Sequence, residues 1–158
     1  MTTKEPKLRI LLIHYNTPEF LKKCLNSLFQ QTHRNLEIYV IDNNSADQDS
    51  LDFLKQYLGQ HENLKFIQNS ENAGYARAAN QGIRLALENT KKPDYLAVTN
   101  PDIIFDPNYF KKVIERAEKD EKIASITGKI YKYDFDRDKT TNIIDTVGLF
   151  AYKSRRII

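Results

Sequence analysis

Leu8-Arg9-Ile10-Leu11-Leu12-Ile13, running into His14-Tyr15-Asn16 and then Thr17-Pro18, decides the architecture. A nearly continuous apolar run predicts a central strand covered on both faces, because a strand with one wet face would alternate apolar and polar residues. Thr17 as cap and Pro18 at the first helical position then open a helix. Its Phe20, Leu21, Cys24, Leu25, Leu28 and Phe29 recur at three- and four-residue spacing, so Cys24 packs inward. A buried strand feeding an amphipathic helix is the first unit of an α/β sheet.

The unit repeats along the chain. Leu36, Ile38, Val40 and Ile41 predict a second strand that ends at Asp42-Asn43-Asn44-Ser45. A helix follows from about Asp49 to Leu58, burying Leu51, Leu54, Tyr57 and Leu58 and stopping at Gly59. Leu64, Phe66 and Ile67 predict a third strand, Asn69 to Gly74 a turn, and Tyr75 to Leu87 a helix whose Ala78, Ala79 and Ala86 invite close approach to a neighbour. Tyr95 to Val98 predicts a fourth strand, ending in Thr99-Asn100-Pro101-Asp102, with a further helix opened by Pro107. Short strands alternating with longer helices predict right-handed crossovers. The fold class is therefore α/β, a mainly parallel Rossmann-like sheet with helices on both faces. Another strand, Ile123 to Ile126, is expected to continue through Gly128 into Ile130; Tyr131 to Thr141 is polar and charged, and Ile143 to Phe150 resumes an apolar pattern. With Ile158 closing no element, the chain reads as the proximal part of a longer domain.

Composition narrows the function classes. At 158 residues, with 41% hydrophobic and 28% charged residues, the chain has the size and make-up of one ordinary globular domain. The balance of 24 basic against 21 acidic residues is too even for a dedicated nucleic-acid binder. Tyr131, Tyr133 and Phe135 alternate among lysines as one face of a strand would, so no nucleic-acid partner is expected. The lone Cys24 forms no internal disulfide and no thiolate metal cluster, which points to a reduced compartment. No apolar run is long enough to span a bilayer, and a cytoplasmic location follows, with peripheral association at the inner face of the membrane left open.

In an open parallel sheet a ligand lies outside the carboxyl ends of the strands, near the point where strand order reverses. Three polar clusters fall at such ends: His14-Tyr15-Asn16-Thr17, Asp42-Asn43-Asn44-Ser45 and Thr99-Asn100-Pro101-Asp102. Asn72-Ala73-Gly74-Tyr75 followed by Arg77 supplies a fourth wall. Each residue also has a plain structural role open to it, since Asn, Asp and Ser form turns and cap helices. Asp42 is suited to accept the hydrogen bonds of a base or ribose, or to hold its own turn. Arg77, on the first turn of its helix, is suited to hold phosphate oxygens with a guanidinium fork, or to stand in solvent. Asp102 is suited to a divalent cation beside a diphosphate, or to an Asx turn. His14 fits either a base or donor role or a structural one at the strand end. Asp145 and the basic residues Lys153, Arg155 and Arg156 fit either a ligand contact or a solvated end. Neither a Walker loop nor a dinucleotide glycine fingerprint follows the first strand.

Taken together, Ile13-His14-Tyr15-Asn16, Cys24 to Leu28 with Gln31, Glu37 to Asp47, Asn72 to Gly82 and Asn100-Pro101-Asp102 resemble the donor-binding half of a family 2 glycosyltransferase of the GT-A fold, of the rhamnosyltransferase-like kind. The resemblance covers about residues 8 to 150. It divides the chain into a tail at 1–7, a nucleotide-sugar-binding domain at 8–150 and a basic end at 151–158. It implies transfer of a sugar from a nucleotide-diphosphate sugar, with dTDP- or UDP-sugars foremost, to a saccharide or lipid-linked acceptor. It further implies inversion and assistance by Mg2+ or Mn2+. His14, Tyr15, Asn16, Asp42, Asn44, Arg77 and Asn100 would bind the nucleotide sugar, with Asp42 facing the base, and Asp102 would be the last residue of the family's Asp-x-Asp metal motif. Asn100 in its first position is a neutral, weaker ligand, so metal affinity without nucleotide should be low. Asp145 to Phe150 resembles the strand leading toward the acceptor half, where the family's general base lies, and the catalytic base is unassigned. Asp120-Glu121 stands too near the metal motif for that role. A nucleotide-sugar-binding module without turnover is the alternative reading.

Overall fold

The computed structural model describes residues 5–88 and 91–146, which fall into two compact units divided after Lys111. The first holds four strands, β1 (Leu8–His14), β2 (Leu36–Asp42), β3 (Leu64–Gln68) and β4 (Tyr95–Thr99), and three helices, α1 (Pro18–Phe29), α2 (Gln48–Leu58) and α3 (Tyr75–Glu88). A fourth helix, α4 (Tyr109–Ala117), carries the division between the units.

The strands form one sheet in the order β3-β2-β1-β4, and every neighbouring pair is parallel. All seven residues of β1 are buried, as its unbroken apolar run requires of a strand flanked on both edges and covered on both faces. From β1 the chain steps through α1 to β2 and through α2 to β3, then crosses back through α3 to β4 on the opposite edge. Right-handed crossovers in opposite directions place α1 and α2 on one face and α3 on the other. The α3 stripe of Ala78, Ala79, Gly82 and Ala86 is buried, with Ala78 and Ala79 in one cluster with Ile13 and Ile41. Small residues on the helix allow that approach.

Arg9, fully buried in β1, is held by Glu37 through its Nε and Nη2 at 3.0 and 2.7 Å and donates from Nη1 to the Ala86 carbonyl at 3.1 Å. One guanidinium thus ties β1, β2 and the end of α3. Its other face lies 4.7 Å from the Tyr39 ring centre, a cation–π contact.

In the second unit the expected strand at Ile123 to Ile126 does not form. The strand begins at Ile130 and continues through the polar segment as β5 (Ile130–Asp134), pairing antiparallel with β6 (Lys139–Thr146). Its turn is set by local chemistry: Asp134 accepts from the Arg137 N–H at 3.0 Å, and Asp138 takes a left-handed φ of 50°. A hairpin this exposed needs turn geometry more than an apolar run, and that weakened the hydropathy signal. Val147 to Phe150 and the basic end at 151–158 lie outside the described residues.

Candidate functional site

The chain leaves β1 toward β2 on one side, while β4 stands on the other, so strand order reverses between β1 and β4. The turn after His14 and the turn after Thr99 therefore flank the switch point, where open α/β sheets take ligands. Register places His14 beside Asp42 and Asp42 beside Gln68, so the loops after β1, β2 and β3 also leave the sheet together.

Amide side chains stitch those loops. Asn16, at a φ of 50°, donates its backbone N–H to Ser45 Oγ at 2.9 Å, and its Oδ1 accepts the Ala46 N–H at 2.7 Å. The Asn43 N–H donates to the His14 carbonyl at 2.8 Å. Buried Asn43 then reaches across: its Nδ2 donates to Asn72 Oδ1 at 2.6 Å, and its Oδ1 accepts from Asn69 Nδ2 at 3.3 Å and the Ala73 N–H at 3.2 Å. Asn72 Oδ1 also accepts the Gly74 N–H, and Gly74 sits at a φ of 84°, a conformation open to glycine at little strain. Asn44, at 66°, is held outward in the same left-handed region.

Beneath this surface lie His14 and Asp42, neither with any exposed area. Asp42 stands at the expected strand end with its carboxylate turned inward: Oδ2 accepts the Ser45 N–H at 3.0 Å, and Oδ1 lies 3.9 Å from His14 Nε2. Asp47 approaches the same ring nitrogen, its Oδ2 also at 3.9 Å, while its Oδ1 caps α2 by accepting the Ser50 N–H. Burial pushes the His14 imidazole below its ordinary range, against the raising pull of Asp42 and Asp47. On its far side, His14 Nδ1 pairs with Thr17 Oγ1 at 3.2 Å. That pairing explains why Thr17, the helix cap by position, makes no side-chain cap bond to α1.

Tyr15, Asn16, Asn44, Arg77, Asn100 and Asp102 are all exposed at this end of the sheet. Arg77 lines a shallow cavity of about 200 Å³ with Asn69, Ser70, Glu71 and Gln81. Asp102 acts electrostatically on two neighbours. Burial, and secondarily the charge of Asp102, raise the Tyr75 hydroxyl, and the same pair of causes push the Cys24 thiol up to about 12. Tyr75 and Cys24 are thus close enough to Asp102 to sense it, which sequence spacing alone did not reveal. Asn43 and Asn72 stand in two of the polar clusters that the sequence marks, but the bond between them is not readable there, and Asp47 is a site-builder that the sequence did not single out. The one available signal was Asp47 three residues ahead of Ser50, a helix-cap spacing.

A profile of Glycosyl transferase family 2 matches residues 10–157. The chain belongs to glycosyl transferase family 2. Among curated relatives of this family 2 chain, Glycosyltransferase GlyG of Streptococcus pneumoniae serotype 4 is 28% identical over 121 residues, covering 76% of this chain and 38% of its own length. The chain thus spans well under half of that relative. Of solved structures, the mannosyltransferase PcManGT of Pyrobaculum calidifontis, in complex with GDP-Man and Mn2+, superposes with a TM-score of 0.64 at 18% identity, covering 86% of this chain and 38% of its own. S. aureus TarS 1-349 in complex with UDP-GlcNAc superposes equally, at 0.64 and 19% identity, covering 80% and 38%. The fold of this family 2 chain is accordingly the α/β sheet of the GT-A enzymes.

The donor set also tests the metal such a fold implies. Among the described residues no group of three His, Cys, Asp or Glu side chains forms a cation cage. Asp102 and Asn100 instead offer one exposed carboxylate and one exposed amide oxygen on the same turn. That set fits a hard cation whose remaining ligands are phosphate oxygens and water, and does not fit a preformed protein site.

Proposed function

We propose that this chain is the donor-binding part of a glycosyltransferase of the rhamnosyltransferase-like kind, which transfers a sugar from a nucleotide-diphosphate sugar to a saccharide or lipid-linked acceptor with inversion. The observation that carries it is the convergence of four sequence-distant loops on the switch-point end of the sheet, with Asp102 standing opposite the start of α3. In this reading Tyr15, Asn16 and Asn44 form the nucleoside shelf. Arg77 meets the phosphates or base, and Asn100 and Asp102 face the diphosphate. His14 and Asp42 contribute from beneath, by holding the shelf. Asp102, with Asn100, would hold Mg2+ or Mn2+ together with the diphosphate; when bound, that ion supplies charge neutralisation of the leaving group. The chain's own part is orientation. Loops fixed by the hydrogen bonds of their amide side chains hold the donor with its anomeric carbon toward the acceptor, and a guanidinium stabilises the departing diphosphate charge. UDP and dTDP sugars are the first donors to test.

Calorimetric titration with UDP, dTDP and GDP, with and without Mn2+, tests the reading. One nucleotide is expected to bind, to bind about tenfold or more tightly with metal, and to lose that increment in Asp102→Ala. Absence of binding by all three, in a chain shown folded by circular dichroism, would refute it.

A further inference from the structure

Three polar atoms under the candidate site face one another without direct partners among the described residues. They are His14 Nε2, Asp42 Oδ1 and Asp47 Oδ2, and all are buried; the hydroxyl of Ser50, on the first turn of α2, is a fourth orphan. Buried polar groups in folded proteins are nearly always hydrogen-bonded, so a cluster of orphans calls for a partner. The two His–Asp separations, 3.9 Å each, are too long for a direct bond. A single water suits the spacing and the chemistry, since a polar pocket with two to four partners is where buried waters reside.

The proton inventory fixes the donor. Among the described residues the charged groups beside Nε2 are the carboxylates of Asp42 on β2 and Asp47 at the cap of α2, and both are acceptors. Nδ1 faces the Thr17 hydroxyl, which can donate to it. The neutral ring with its proton on Nε2 satisfies both sides, whereas a proton on Nδ1 would leave a bare nitrogen lone pair aimed at two carboxylates. Burial favours the uncharged ring.

We propose that His14 is a positioning residue, whose Nε2–H holds Asp42 and Asp47 through one shared buried water and so locks the 42–47 turn that presents Asn44. The water accepts from Nε2–H and donates to the two carboxylate oxygens, and its remaining lone pair is open to a further donor. Through this node β1, β2 and α2 are joined at the one place where they must hold a shelf for ligand. Its effect on ligand rests on the donor-binding function proposed above; the proton placement does not.

Two variants separate the roles of the ring nitrogens. Glutamine places an amide N–H near the position of Nε2, and asparagine near that of Nδ1. Proton-detected ¹⁵N correlation spectra of the full chain at pH 7.5 are expected to show His14 neutral and protonated at Nε2. His14→Asn is expected to weaken nucleotide-diphosphate binding about tenfold or more, through the buried carboxylates it leaves unpartnered, and His14→Gln to bind several-fold better than His14→Asn. A proton on Nδ1, an imidazolium at that pH, or equal binding by the two variants overturns the assignment. So does a high-resolution crystal structure with a direct His–Asp bond, or with a cation, in place of the water. If the wild-type chain binds no nucleotide, the proposed function falls by itself. The assignment is then decided by the tautomer and by whether His14→Gln unfolds at a higher temperature than His14→Asn.

Discussion

Cys24 sits where the core meets the candidate site. It is a fully buried α1 residue whose thiol lies 3.9 Å from the Asn100 carbonyl, within the field of Asp102. Burial and that carboxylate raise the thiol to about 12, so at pH 8 the side chain stays the thiol and not the thiolate, the reactive form. The side chain therefore serves as a small core residue under the 100–102 turn and not as a nucleophile. Iodoacetamide at pH 8 is expected to leave the folded chain unmodified over hours and to alkylate it within minutes in denaturant, as read by intact mass. Rapid modification of the folded chain would show that this turn opens readily, and would count against a preorganised Asp102.

At the scale of elements, the close approach of α3 to the sheet rests on Gly82. A Cβ there would stand 2.4 Å from Ile41 Cδ1 and 3.0 Å from Leu11 Cδ1, both in the fully buried core. Two effects compete on substitution: alanine gains about 1 kcal/mol of helix propensity, whereas overpacking a core costs roughly 1–3 kcal/mol. Gly82→Ala should thus be nearly neutral to mildly destabilising. Gly82→Leu should lose about 3 kcal/mol or more, seen as a fall in the urea midpoint at unchanged slope. A neutral Gly82→Leu would mean α3 is not seated as described. The same elements show what a linear reading can see. The continuous run of β1, the alanines of α3 and the polar strand ends marked the parallel sheet and its ligand-bearing edge, because both depend on local hydropathy period and turn chemistry. The inward turn of Asp42, the reach of Asn43 to Asn72 and the meeting of Asp47 with His14 were not legible. Each depends on side-chain direction across loops about 30 residues apart. The hairpin of β5 and β6 was missed for the opposite reason, since its strands carry little burial to write into the sequence.

The whole molecule places an ionisable node at each end of one sheet, Glu37 half-buried and His14 fully buried, and both respond to acid in the same direction. At the amino end, burial works to raise the Glu37 carboxyl, but hydrogen bonds and charge from Arg9 and Lys7 outweigh it and hold the group below its ordinary range. At the carboxyl end, burial holds His14 below its own range. For either group the folded pKa lies under the unfolded one, so on acidification the unfolded chain binds the proton first. The stabilising contribution is complete above the unfolded pKa and is lost as pH falls through the folded value. For His14 that loss begins below about 6.5, and for Glu37 only below about 4.3. Urea midpoints should therefore be level from about pH 8 to 7, decline as pH falls below about 6.5, and decline again in the carboxylate range. His14→Gln, which does not titrate, is expected to remove the upper decline and leave the lower one. Glu37→Gln is expected to lower the whole curve, by leaving the buried Arg9 guanidinium without its charged partner, while sparing the upper decline. An upper decline that survives in His14→Gln would place the acid-sensitive group elsewhere, and would remove His14 as the titrating centre of the candidate site.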